Sequence, residues 1–224
     1  HSRAAQGGST VSSDPVECRD VYNKFLPGEF DFCLALRDQE KGRYNQMVEM
    51  LMLAAGWGQK RAQYTLGIMY FNGQHVRANR PLGLAWLVLA AERHDMTATI
   101  AAGSAFRVST AAERRQADVL LARLRQHYGD AVAAPRAMSR FNRFYREVFL
   151  ASFDGSTSLC ISGLDVMAPL PNEIDTGPSM SSCPPISQTL VKLREIGNSY
   201  FAGWEGQVSV GDPEQLPATS GSVP

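Results

Sequence analysis

Cys18, Cys33, Cys160 and Cys183 have the widest choice of chemistry of any residues in this chain. None stands in a Cys-x-x-Cys or zinc-finger spacing, so the pattern points away from metal ligation and towards disulfides. Cys18 and Cys33 straddle Pro27-Gly28 at similar distances, on segments that read as antiparallel helices, which brings their Cβ atoms within bridging range. Cys160 and Cys183 flank the least regular stretch, where closing a loop stabilises by ~3 kcal/mol in the chain-entropy model. The expected bridges are Cys18–Cys33 and Cys160–Cys183. An oxidising compartment follows, and the expected location is periplasmic or otherwise exported, after removal of a targeting segment ahead of His1. Other reactive side chains offer less. His75 and His94 have no identifiable orienting carboxylate, and His127 closes a helix, where an imidazolium suits the dipole. Asp154, Asp165, Glu173 and Asp175 sit in an irregular stretch, where scattered acids are normally solvated. Trp57, Tyr64 and Tyr70 could line a groove, though tyrosines at such positions usually pack. The chain lacks GxSxG, HExxH, a Walker A loop, GxGxxG and SxxK. No catalytic residue, metal ligand or cofactor is assigned.

The elements that must position these residues are helical. The chain has 224 residues, 44% of them hydrophobic and 20% charged, with a net charge of zero, which excludes a fibrous or wholly disordered protein. No apolar run approaches the ~18 residues that span a bilayer. Residues 1–13 read as a flexible leader and 211–224 as a Pro/Gly/Ser tail. Between residues 14 and 149 helical period runs almost throughout. Helices are predicted from a cap at Asp14, then over about 29–37, 43–55, 61–71, 79–93, 97–106, 110–127 and 135–149. Gly73 stands where a left-handed C-cap belongs, and Thr110 with Glu113 forms a capping-box pattern. Residues 150–210 read as an irregular, disulfide-tied extension with a short strand at 158–161, one helix over 187–201 and a second short strand at 207–210.

Self-comparison is more specific. Leu51-Met52-Leu53-Ala54-Ala55 recurs as Leu87-Val88-Leu89-Ala90-Ala91 at an offset of 36 residues, which also carries Ala62 onto Ala98 and Gly67 onto Gly103. Such a period predicts an all-α fold of antiparallel helical hairpins stacked as a short α/α solenoid. Small residues, Ala62, Gly67, Ala85, Ala90 and Ala91, would let helices approach, with Leu66, Tyr70, Trp86 and Leu89 filling the space between. Residues 61–95 carry Ala62-Gln63, Leu66-Gly67, Tyr70, Asn72-Gly73, Val76, Ala85-Trp86 and Ala90-Ala91 in order. This segment resembles the Sel-one-like repeat of the tetratricopeptide superfamily. The likeness covers residues 42–107 well, 14–41 and 108–130 weakly, and the rest not at all.

The resemblance implies a protein-binding scaffold working through the repeat groove, with an envelope or secretion component as partner. Some disulfide-rich relatives imply an alternative, a binder or hydrolase directed at peptidoglycan or β-lactams. A structural subunit of a homo-oligomer is a third reading. The neutral total hides a local excess. Residues 107–146 hold nine Arg against three acids, and residues 150–224 hold eight acids against Lys192 and Arg194. Nucleic acid is a poor partner for a neutral exported chain. On the last long helix Arg136, Arg140, Arg143 and Arg146 share a face, a candidate contact for an anionic partner or for the acidic C-terminal stretch. Phe141, Phe144, Tyr145 and Val148 occupy the opposite face, expected to pack on the repeat core.

Overall fold

Helix ends in the computed structural model, which describes residues 18–154, 157–164 and 183–204, fall where local chemistry puts them. Pro27 opens α2 (Pro27–Glu40) at the first helical position, where its missing N–H costs nothing. A single turn, α1 (Tyr22–Phe25), precedes it. The cap expected at Asp14 and the strand expected at 207–210 lie outside the described residues. After α3 (Tyr44–Gly56), the Gln59 side chain accepts from the Arg61 amide to start α4 (Lys60–Asn72). Gly73 ends α4 with φ 72°, the left-handed cap read from the sequence. Asn79 caps α5 (Arg80–Ala90) through the Leu82 amide, and a 3₁₀ turn (Ala91–Arg93) extends it. Asp95 caps α6 (Met96–Val108), and a full capping box of Thr110 and Glu113 opens α7 (Ala111–Tyr128).

Two expectations change here. The helix α8 (Asp130–Ala151) starts five residues before the predicted Pro135. Glu92 accepts from the Asp130 amide at 3.1 Å and the Gly129 carbonyl accepts from Val132 and Ala133, so the first turn forms without help from the proline. Pro135 then forfeits only one helical bond, on an exposed side of the helix. The strand expected at 158–161 shrinks to one antiparallel bridge, Ser158 with Pro185, because Pro184 and Pro185 lack donors to extend a ladder. It leads into α9 (Ile186–Tyr200).

The described residues are helical and separate into two hydrophobic cores. The first joins α2 to α7. Hairpins α2/α3 and α4/α5 pack along their lengths, and Trp86 lies 1% exposed with its ring edge-on to Tyr128 at 4.9 Å. Glycines set the spacing of α4 and α5. A Cβ at Gly67 would lie 2.7 Å from Leu87 Cγ, and one at Gly83 only 2.4 Å from the Phe71 amide nitrogen. A third hairpin does not form. Helix α7 packs along α5, whereas α6 leans on α5 and the 3₁₀ turn. Gly103, the repeat partner of Gly67, faces nothing closer than Arg107 at 3.6 Å, so that position keeps the glycine without its packing role.

The second core gathers α1, α8, α9 and the segment around Leu164. Phe25, Phe141 and Leu193 are fully buried in it, with Phe141 edge-on to both Phe25 and Phe201. The aromatic face of α8 therefore packs on α1 and α9, and not on the hairpins as its periodicity suggested. Leu121 and Tyr128 of α7 already fill that side of the hairpin core, leaving the α8 rings to Phe25 and Phe201. Gly197 permits the contact, since a Cβ there would sit 2.6 Å from Phe141.

Candidate binding cleft

Both expected disulfides are present. Cys18 is bonded to Cys33 and Cys160 to Cys183, with Cα separations of 5.6 and 4.7 Å. The first ties the segment before α1 to α2, and the second closes the loop that leads into α9. No helix among the described residues is long and apolar enough to cross a membrane. No three His, Cys, Asp or Glu side chains gather there as a metal site would require.

The two cores meet at an ionic clamp that sequence reasoning missed. Lys60 Nζ donates to Gln63, to the Leu89 carbonyl and to Glu92, and pairs with Asp130, at 3.0–3.1 Å. Arg93 donates two bonds to Asp130 at 2.8 and 2.7 Å, and its guanidinium lies 3.4 Å from the centre of the Trp204 ring. Arg125 adds a bond to Glu92 at 3.2 Å. Lys60 and Arg93 thus balance Glu92 and Asp130, all four mostly shut off from water, where α4, the 3₁₀ turn, α8 and Trp204 beyond α9 converge. The ion-pair partners stand more than 30 residues apart in the chain, beyond the reach of any local pattern.

Beside this clamp α9 packs on α8 but does not run along α2, and the gap is a cleft of about 630 Å³. Tyr22, Leu26 and Phe30 form one apolar wall, and Ile196 and Tyr200 the other. Arg19, Glu29, Lys192, Glu195 and Ser199 supply polar groups. Glu29 is held on the α2 side by Gln59 Nε2 and by Arg61 at 2.6 Å. Lys192 pairs with Glu195 across one helical turn at 3.5 Å. Burial, and secondarily the Glu29 carboxylate, push the Tyr200 hydroxyl above the usual tyrosine range, so it remains a neutral phenol. Apolar walls with a few fixed polar groups can hold a segment of chain bearing an apolar side chain.

The other residues singled out in the sequence lie apart from this cleft. Ala62, Leu66, Ala85, Ala90 and Trp86 are buried in the helical body, with Tyr70 and Ala91 partly buried against the hairpin core. His75, at φ 61°, stacks on Tyr44 at 3.6 Å, and His94 is left-handed at φ 58°. Both are exposed, as is His127, and no carboxylate among the described residues bonds to any of the three rings. Tyr64 packs against the hairpin core and Trp57 against the second one. Asp154 is exposed; Asp165, Glu173 and Asp175 lie outside the described residues. Arg136, Arg143 and Arg146 are exposed on α8, whereas Arg140 is half-buried and donates to the Asn23 carbonyl at 3.3 Å. Arg136 donates to the His127 carbonyl at 2.9 Å. Gly83 and Tyr200 were not foreseen. A glycine between Leu82 and Leu84 inside a helix is a legible sign of close approach, since it costs ~1 kcal/mol without one.

Comparison of the chain with protein-family models, with curated proteins and with solved structures gives no significant match.

Proposed function

We propose that this chain is a non-catalytic protein-interaction module of the bacterial cell envelope, a divergent Sel-one-like repeat protein, and that it holds a segment of its partner between α2 and α9. The observation that carries the reading is the cleft itself. Its walls are apolar and aromatic, Glu29, Lys192 and Glu195 are already paired, and the helices that form its walls are each held in place by other contacts. The Cys18–Cys33 bridge and the contacts of Glu29 with Gln59 and Arg61 hold α2, and packing on α8 holds α9. Apolar anchors inside a polar rim are the usual anatomy of a protein-binding patch. Two disulfides favour an exported location, where such bonds persist. The hairpins serve in this reading as the rigid body that presents the cleft.

The test is a peptide selection against the full chain, followed by affinity measurement on two variants. Ser199 is exposed at the cleft, so Ser199→Trp fills it without disturbing either core. It is expected to weaken the selected peptides about tenfold or more. Leu53→Arg, on an exposed position of the hairpins, is expected to leave them unaffected. The opposite pattern would place the partner on the hairpins and remove the cleft from the account.

A further inference from the structure

A second, smaller recess lies on the far side of α1, where it meets the middle of α8. Lys24, Arg140, Arg143, Phe144 and Glu147 enclose about 110 Å³ there. That is room for roughly three or four waters. Lys24 and Arg143 are exposed and have no ion-pair partner among the described residues. Arg140 Nη2 donates to the Asn23 carbonyl at 3.3 Å, while its Nε–H is shut off from water with no acceptor. Three cations therefore converge on one small space against a single carboxylate, that of Glu147. A compact oxyanion with several acceptor oxygens would answer all three at once, and guanidinium groups favour such ligands. Lys24 and Phe144 also line a neighbouring groove of about 800 Å³, whose apolar residues are Val21, Val148, Leu159 and Ile161 and whose polar ones include Arg19, Asp20 and Ser162. The basic recess and the apolar groove share these two residues and so adjoin.

We propose that the two spaces form one site for an anionic amphiphile, its phosphate head between Lys24, Arg140 and Arg143 and its apolar chain along Val21, Val148, Leu159 and Ile161. A phosphate monoester fits better than a lone carboxylate, because its three terminal oxygens can serve three donor side chains. The site adjoins the cleft between α2 and α9 at Arg19 and uses none of that cleft's apolar wall residues. Isothermal titration of the full chain with octyl phosphate below its micelle concentration, inorganic phosphate and octyl glucoside separates head from tail. Octyl phosphate is expected to bind about tenfold or more tighter than inorganic phosphate, since a few buried methylenes suffice for that gain. Octyl glucoside is expected to show no saturable binding. The exposed double variant Lys24→Gln/Arg143→Gln is expected to weaken octyl phosphate by about tenfold or more, with its melting temperature unchanged. Equal affinity for octyl phosphate and octyl glucoside, inorganic phosphate binding as tightly as the ester, or an unaffected double variant would each overturn the proposal.

Discussion

The hairpin core and the second core bury similar side chains by different means. In the first, helices adjacent in the chain approach through missing side chains, Gly67 against Leu87 and Gly83 against Phe71. In the second, segments far apart in the chain meet through aromatic rings, Phe25 with Phe141 and Phe141 with Phe201. The first contains no cysteine pair that spans it, whereas each disulfide closes a segment feeding the second. Local contacts are reached at little loop-closure cost, while distant ones must first close a long loop. The cleft lies on the seam, with α2 of the hairpin core on one side and α9 of the second core on the other.

Four substitutions break or sharpen this contrast. The largest effect belongs to Trp86→Ala, which empties the centre of the hairpin core and is expected to cost ~3–5 kcal/mol in denaturant unfolding. Next is Arg93→Met at the clamp. Removing one partner of a buried ion pair costs ~3–5 kcal/mol, and the lower end applies here because Lys60 still pairs with Asp130. Its unfolding is expected to lose the coincidence of tryptophan fluorescence and far-ultraviolet dichroism, as the second core loosens first. Gly67→Ala comes third. Its Cβ would meet Leu87 at 2.7 Å. Overpacking of that kind costs ~1–3 kcal/mol. Gly103→Ala, at the equivalent repeat position, is expected to be neutral or to stabilise by up to ~1 kcal/mol, as helix propensity alone would have it. Equal losses at both glycines would restore a true third repeat.

The smallest effect is on pH dependence. Burial raises Asp31 on α2 from the usual carboxylate range to about 6. The folded chain then holds this proton more tightly than the unfolded one, so its contribution is full below about pH 4 and is lost as pH rises to about 6. Asp31→Asn should flatten that decline in melts taken between those values, and an unchanged slope would refute the assignment.

The contrast also explains what could be read from the amino acids. The caps at Gly73, Asn79 and Thr110 and the packing of Gly67 between adjacent helices rest on residues close in the chain, and the burial of Trp86 on the repeat pattern, and all were legible. The pairing Cys18–Cys33 was legible for the same reason, with one turn between its halves. The start of α8 was not, because Pro135 is a strong local signal and the carboxylate that holds the Asp130 amide comes from Glu92. The aromatic face of α8 was recognised and given the wrong neighbour, since periodicity marks which side is buried without saying against what. The cleft was invisible for the same reason, as its two walls come from residues 22–30 and 196–200.

Hydrogen exchange of the full chain, oxidised and then fully reduced, tests most directly whether the two cores have separate sources of stability. On reduction, amides of α8 and α9 are expected to lose protection while those of α4 and α5 keep most of theirs, because the bridges tie the segment before α1 to α2 and close the loop into α9, and neither reaches α4 or α5. Uniform loss of protection through α4, α5, α8 and α9, or protection unchanged in all four, would contradict the account.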